Sequence, residues 1–405
     1  MSTACLRRAA QKCKATSSVS RGRLAQQRAA AYYSTSQSGE EERGRDSASS
    51  TPTTPTRVHG RTYFSGIQPT GVPHLGNYLG ALQNWVKLQR QAAPDDELIF
   101  SVVGWHALTL PQDRKALFEA QKDILAILLA IGIDPLRCIL FYQNHNSDHL
   151  ELAWLLNCIT PTGKLRRMTT WKARLADSRN ANDESEVDES LLNVGLFTYP
   201  VLQAADILVY KATHVPVGED QQQHIELCRD LADIFNRQLK DETDNVPLFP
   251  LPRQLFTPSK RILSLRDPSS KMSKSTPDVK SRILLTDTPE EIRDKIRSAV
   301  TDSIQGITYD PVNRPGTSNL LTILAACEEA DPAEVARRYS GKHHGHLKAD
   351  VTDAVVEMLR RPRAELLRLR EDPGYLADVG REGAEKAKMR SRPTMQIVRE
   401  RLGLL

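Results

Sequence analysis

The chain predicts an α/β protein, a doubly wound parallel sheet followed by a helical region, and three observations carry that prediction. Between residues 62 and 143 short apolar runs alternate with longer stretches of helical period. The first run leads through a glycine- and proline-bearing turn into a helix, and beyond about residue 280 only helical periods continue. Strand, helix, strand in succession is the pattern of parallel strands joined by crossover helices.

The N-terminal stretch stands apart from this pattern. Residues 1–39 hold seven basic residues and no acidic one, so residues 40–405 carry 48 basic against 50 acidic, and the net charge of +5 resides in the leader. A segment rich in Arg, Ser and Ala, free of acid and without an apolar run long enough to span a bilayer, reads as an organelle transit peptide; a merely basic tail is the plainer alternative. "RAAAYYS" is a plausible cleavage neighbourhood. Residues 40–60 are Ser-, Thr-, Pro- and Gly-rich with almost no large apolar side chain, so they cannot offset the entropy of ordering and read as a disordered linker. Six cysteines scattered singly, with no CxxC pair and no zinc-type spacing, point to a reducing compartment, no disulfide framework and no structural metal.

From Thr62 the elements follow in order. "TYFSGI", "LIFSVV" (98–103) and "CILFYQ" (138–143) read as buried strands, and "ALFEAQKDILAILLAIG" (116–132) as a helix closing on Gly132. The polar, acidic run 176–190 reads as a surface loop. "TPEEIRDKIRSAV", "LLTILAACEEA", "AEVARRY" and "KADVTDAVVEMLRRPRAELLRLRED" are helices with acidic starts and basic ends, as the helix dipole favours. These shifts divide the chain into a sheet domain over 61–279 and a helical domain over 280–405.

Two segments could carry chemistry. "FSGIQPTGVPHLGNYLGALQNWVKLQ" (64–89) runs from a strand through a loop with Gly66, Pro69, Gly71 and Pro73 into a helix opened by His74-Leu75-Gly76-Asn77. A helix N-terminus offers free amides and partial positive charge, and a glycine there lets a phosphate or a flat base reach the backbone. Alone, the turn is equally an ordinary one capped by Asn77. "KMSKS", Lys271–Ser275, places two ammonium groups three residues apart outside any amphipathic period. They could meet a leaving pyrophosphate most strongly in the transition state, which raises rate rather than affinity, although two loop lysines are ordinarily just solvated.

Together these segments resemble the HIGH and KMSKS signatures of the class I aminoacyl-tRNA synthetases. "YPVLQAADILVYKATHVPVGEDQQQHIELCRDLADIFN" (199–236), "AVTDS" (299–303), "RPGTSNLL" (314–321), "YSGKHHGHLKADV" (339–351) and "EGAEKA" (382–387) narrow the likeness to tryptophanyl-tRNA synthetases of bacterial and mitochondrial type, over nearly all of Thr62–Leu404. The resemblance implies a Rossmann-like catalytic domain with a C-terminal helical anticodon-binding domain. It implies Lys271, Lys274, His74 and Asn77 as catalytic, and Gln68, Pro69, Thr70, Gly76, Asn77, Gly218, Glu219, Asp220, Ile262, Lys271, Met272, Ser273, Lys274 and Ser275 around ATP. Asp206 is implied as the acceptor of the indole N–H, with Phe64, Tyr199, Gln203, Val215 and Val217 as walls and amino-group contacts. The Asp206 role also has a physical basis, since indole N–H only donates and a carboxylate only accepts; a helix residue bound to some nearby backbone group or lysine is the alternative. His224 and Arg229–Asp230 read as packing and ion-pair residues framing the site.

The implied reaction is attack of the tryptophan carboxylate on the α-phosphorus of ATP·Mg²⁺, loss of pyrophosphate, and transfer of tryptophan to the terminal adenosine of tRNA(Trp), by a homodimer in the mitochondrial matrix with no membrane association and no protein-bound metal. The candidate tRNA contacts are Arg360, Arg361, Arg363, Arg368, Arg370, Lys386, Lys388, Arg390 and Arg392, most of them expected to be solvated helix faces. Two departures stand out. "MTTWKAR" lacks a lysine at the family's usual place, where Lys172 or Arg174 would substitute, and Gly104-Trp105 precede His106 where relatives carry an acid. The rival readings are a tyrosyl-tRNA synthetase, disfavoured by "GEDQQQHIEL", and a synthetase-derived RNA-binding or splicing protein, disfavoured by intact Lys271, Lys274, Gly76 and Asp206.

Overall fold

A computed structural model describes residues 60–179, 192–240, 246–256, 261–274 and 276–405; the leader, the linker up to residue 59, the acidic stretch from 180 onward and Ser275 lie outside the described residues. The chain enters through β1 (Thr62–Ile67) and, after the loop, a helical run made of α1 (Leu75–Asn77), a π turn (Tyr78–Leu82) and α2 (Gln83–Gln91). There follow β2 (Glu97–Val102), α3 (Gly104–Ala107), α4 (Arg114–Ala130), β3 (Ile139–Tyr142), α5 (Asp148–Ile159), α6 (Thr162–Arg166), α7 (Thr170–Arg179) and α8 (Val194–Leu208). Then come β4 (His214–Val217), α9 (Gln222–Gln238) and β5 (Arg253–Phe256). The last part is helical: α10 (Pro289–Arg297), α11 (Pro315–Cys327), α12 (Pro332–Arg337), α13 (His344–Arg370) and α14 (Pro373–Arg401). The acidic run read as a loop from residue 176 begins inside α7.

The five strands are all parallel in the order β3-β2-β1-β4-β5. The chain leaves β1 to build one half of the sheet and returns to the other side of β1 to build the second half. The crevice at the carboxyl ends of β1 and β4 is therefore the topological switch point, where ligands of doubly wound folds bind.

Alternation along the strands explains the two cores. Leu98, Phe100 and Val102 of β2 turn to the face covered by the π turn, α2, α4, α11 and α13, while Ile99 joins Phe64 and Phe141 under α5, α7, α8, α9 and α14. Trp85 stacks on Phe100 with centroids 4.8 Å apart and planes 7° from parallel. Each such side chain removed from water contributes about 1.5–3 kcal/mol.

The C-terminal helices share these cores: α11 and α13 pack into the first, and Ala387, Met395 and Val398 of α14 into the second. Residues 58–405 accordingly form one compact unit. The docking of α14 depends on small residues. A Cβ on Gly383 would sit 1.8 Å from the Leu140 carbonyl oxygen, so only glycine lets the helix cross β3 at that distance.

Candidate active site

At the switch point lies a cavity of about 400 Å³. One face of α8 lines it, because Tyr199, Gln203, Asp206 and Ile207 recur at helical spacing, and β4 adds Val215 and Val217 at strand spacing. Phe64 and Gln68 enter from β1 and its following loop, Gly76 and Asn77 from the helix entrance, Gly218 and Asp220 from the turn after β4, and Arg174 from α7. The side chain of Glu219, like Ser275, lies outside the described residues.

Asp206 is 1% exposed and is held by three side chains. Gln143 Nε2 and His149 Nδ1 donate to Oδ1, each at 2.7 Å, and His106 Nε2 lies 2.8 Å from Oδ2. Burial alone would raise its pKa, but the hydrogen bonds from His106 and His149 outweigh that and hold it at about 2. The residue is thus a fixed, ionised acceptor whose partners come from other elements and not from its own helix. His149 falls in the stripe 149, 152, 153, 156 of α5, where every other member is a buried apolar residue. That polar interruption of a core stripe was the one signal in the sequence for this network; His106 and Gln143 had none.

The polar wall opposite is also linked. Gln203 Nε2 donates to Gln221 Oε1 at 3.2 Å, the His224 ring shares that oxygen at 2.7 Å, and Gln221 Nε2 donates to Asp220 Oδ2 at 2.7 Å. His224 Nε2 meets the hydroxyls of Thr170 and Tyr199 at 2.8 and 3.0 Å. Burial and then Arg174 push His224 down to about 4, so it is neutral near pH 7. Arg174 lies 4.4 Å from the centre of the Tyr199 ring and lines the cavity, whereas Lys172 turns to the Trp171 ring at 5.4 Å; Arg174 is thus the cation at the cavity. Asp230 pairs with Lys164 at 2.5 Å, while Arg229 binds the carbonyls of Leu251 and Pro252 and forms no ion pair among the described residues.

At the helix entrance His74 and Asn77 close a reciprocal cap. His74 Nδ1 accepts from the Asn77 amide at 3.2 Å, and Asn77 Oδ1 accepts from the His74 amide at 3.1 Å. The cap is therefore His74 and not Asn77. Leu75 N–H is spent on the Ile283 carbonyl, so two of the first three amides are already engaged. With Nδ1 accepting, the His74 proton sits on Nε2; burial, then Lys274 and Arg282, push the ring down to about 4, leaving a neutral donor.

The KMSKS segment is pinned more firmly than its lack of period suggests. Lys271 bridges Leu263 in antiparallel fashion, and Met272 N–H donates to the Ile262 carbonyl at 3.1 Å, which takes one of that oxygen's two lone pairs. Met272 is buried as the anchor of the turn. Asn319 of α11 clamps the other side, accepting from Leu263 N–H at 2.8 Å and donating to Leu263 O at 3.1 Å. Lys274 reaches the β1–α1 loop, donating to the carbonyls of Gly71 at 2.8 Å and Thr70 at 3.2 Å, and burial lowers it to about 8. Lys271 is exposed.

The nine candidate RNA-contacting cations sort clearly. Arg360, Arg368 and Lys388 pair with Glu357, Glu365 and Glu385 on their own helices, and Arg370 and Arg390 pair with Asp123 and Glu97. Arg363 and Lys386 bind the carbonyls of Asp287 and Pro135. Arg361 and Arg392 are exposed and make no hydrogen bond among the described residues.

Residues 59–360 match the family described as tRNA synthetases class I (W and Y). The chain is 44% identical over 346 residues to the mitochondrial tryptophan–tRNA ligase of Schizosaccharomyces pombe, covering 84% of this chain and 94% of that protein. It is similar to the solved tryptophanyl-tRNA synthetase of Mycoplasma pneumoniae, with a TM-score of 0.73, 31% identity, and 85% and 98% of the two chains covered. The same holds for the Campylobacter jejuni enzyme solved with ADP and tryptophan, at a TM-score of 0.69 and 30% identity, with 85% and 100% covered.

Proposed function

The chain belongs to the class I tRNA synthetases of the W and Y group, and on that premise we propose that it is a mitochondrial tryptophan–tRNA ligase. The observation that carries this reading is the buried Asp206 carboxylate. It is ionised, fixed by three donors, and set in a cavity walled by Phe64, Tyr199, Val215 and Val217. Oδ1 has two donors and Oδ2 one, so Oδ2 keeps a lone pair for an indole N–H. Phenylalanine would leave that acceptor unpaired, and sites built this way reject such an analogue by about 10⁴–10⁵.

In this reading Gln203 and Tyr199 hold the substrate ammonium. Gln68, Pro69 and Thr70, the Gly76–Asn77 entrance, Gly218–Asp220 and Ile262 form the ATP side, and Arg174 takes a phosphate contact. Mg²⁺ enters on the phosphates as part of that substrate. The tryptophan carboxylate attacks the α-phosphorus, and pyrophosphate leaves toward the KMSKS segment, Lys271 to Ser275. Lys274 exchanges its carbonyl partners there for the developing anion, joined by Lys271, while the neutral His74 N–H and Asn77 orient the phosphates. A hydroxyl of the tRNA(Trp) terminal adenosine then attacks the adenylate. The helical region 280–405 binds the anticodon side, where Arg361 and Arg392 are exposed cations with no hydrogen bond among the described residues. A homodimer would suit the exposed Leu150 and Trp154, which share a face of α5. The acid-free leader and the mitochondrial relative support work in the matrix.

Amino-acid-dependent ATP–pyrophosphate exchange tests the reading, with tryptophan, tyrosine and phenylalanine compared in the wild type and in Asp206→Ala. Exchange with tryptophan alone, lost in the variant, is expected. Folded wild-type protein that exchanges with none of the three would refute it.

A further inference from the structure

The pocket carboxylate is held from behind by a buried chain of polar groups that ends on the C-terminal helix. His149 donates from Nδ1 to Asp206 Oδ1, and its Nε2 lies 2.8 Å from the Tyr210 hydroxyl. Asn146 Nδ2 donates to that hydroxyl at 3.1 Å and to Ser391 Oγ of α14 at 3.1 Å; Ser391 Oγ in turn donates to Asp148 Oδ2 at 2.5 Å. His149, Tyr210 and Ser391 are 0% exposed and Asn146 is 1% exposed.

The two ends of this chain fix how its outer donors are turned. Asn146 Oδ1 accepts from the Asp148 amide at 3.2 Å, which orients its NH₂ toward Tyr210 and Ser391. An amide NH₂ only donates, so Tyr210 accepts from Asn146 with its hydroxyl set against His149 Nε2, and because the Asp206 carboxylate only accepts, His149 Nδ1 carries a proton aimed at it. Asp206 Oδ1 is thereby saturated by His149 and Gln143, and the carboxylate cannot rotate. Oδ2 stays turned toward His106 and the cavity. A tie between helices needs none of this: apolar side chains of the same volume would pack those positions without the cost of burying polar groups.

We propose that His149 and Tyr210, braced by Asn146 and by Ser391 of α14, are positioning residues that set the amino-acid specificity of the cavity through Asp206. The proposal rests on the assignment of Asp206 as the acceptor of the substrate indole N–H. It makes the C-terminal helix part of the specificity of a pocket that no side chain of that helix lines.

The test uses the full chain and pyrophosphate exchange, reading kcat and KM for tryptophan, phenylalanine and ATP between pH 5.5 and 8. His149→Leu removes the donor at similar volume, His149→Asn keeps an N–H near the Nδ1 position, and Tyr210→Phe keeps the ring contacts with Phe64 and Phe141. His149→Leu is expected to raise the tryptophan KM about ten- to a hundredfold, and to shrink the preference over phenylalanine by a similar factor, with the ATP KM unchanged. His149→Asn should recover most of the preference, and Tyr210→Phe and Ser391→Ala should shift it in the same direction by about two- to tenfold.

The pH profile separates positioning from mere support. The groups facing Asp206 are His106, Gln143 and His149, with Tyr210 and Cys228 behind them. With His149→Leu the carboxylate loses a donor and binds a proton more readily, so the tryptophan KM should climb as pH falls toward 5.5, more steeply than in the wild type. A fall in kcat shared by all amino acids, or a lower melting temperature with preference and pH profile unchanged, would overturn the proposal. If His149→Leu does not fold, an unchanged preference in both Tyr210→Phe and Ser391→Ala overturns it. Wild-type protein inactive with tryptophan would overturn the Asp206 assignment, and the proposal with it.

Discussion

The two ends of the cavity are built on opposite plans. At the α8 end, Asp206 is closed off from solvent and tied by three side chains from α3, α5 and the turn after β3. At the β1–α1 end, Lys274 is half-buried and rests on two backbone carbonyls that a phosphate oxygen could replace one for one. The difference matches two physical demands. Discrimination needs an acceptor that cannot relax to suit the wrong ligand, whereas leaving-group stabilisation needs a charge whose strongest contact forms only in the transition state.

The largest effect should come from breaking the brace behind the mobile-charge end. Arg314, 4% exposed and at the start of α11, the helix whose Asn319 clamps Leu263, donates twice to Asp302 and also to the carbonyls of Ile304 and Gly306. Burial would raise the Asp302 pKa, but the hydrogen bonds from Arg314, Thr317 and the Ile304 amide outweigh it and hold the carboxyl well below its usual range. A depressed folded-state pKa adds stability that is present above pH about 4 and is lost as pH falls below it. Arg314→Met should lower stability by about 3–5 kcal/mol at pH 7 and flatten the acid dependence, both read from melting curves against pH. Unchanged melting would show that the two ends do not depend on different supports.

Next in size, Lys274→Ala should cut kcat about a hundredfold while leaving the tryptophan KM within about twofold, the reverse of the split expected at His149. Because burial lowers Lys274 to about 8, its ammonium is present below that pH and lost above it. kcat/KM for ATP should therefore fall above pH 8 in the wild type, and Lys274→Arg should move that limb upward. A rise in the tryptophan KM as large as the fall in kcat would erase the contrast between the ends.

The smallest effect is expected at the clamp. Asn319→Ala removes both hydrogen bonds to Leu263 and should raise the ATP KM about three- to tenfold, with the preference for tryptophan over phenylalanine unaltered. A change of preference would mean that the KMSKS strand and the indole end share support.

Much of this was legible beforehand. The parallel sheet followed from apolar runs of strand length separated by a helical period, because backbone periodicity is local. His74–Asn77 and Lys271–Ser275 were visible as short contiguous motifs, and Asp206, Tyr199 and Gln203 through the family resemblance of the 199–236 segment. Of the partners of Asp206 only His149 left a trace, as a polar break in an apolar stripe. His106, Gln143 and His149 come from separate elements, and nothing in their neighbours along the chain points to residue 206. The reciprocal cap of His74, the pinning of the KMSKS turn by Met272, and the engagement of seven of the nine tail cations are also contacts between residues distant in sequence or decided by rotamer.

By itself the sequence determined the first three strands, the helices between them and beyond residue 280, the acid-free leader and the residues able to form a nucleotide turn and a charged loop, since propensity, period and charge are properties of neighbouring residues. Only the tertiary structure decided which end of the cavity is rigid and which is exchangeable. Burial, tautomer and hydrogen-bond direction arise when α3, α5, α8 and α14 are packed together, and there a histidine on one helix and a serine on another determine how one aspartate faces its ligand.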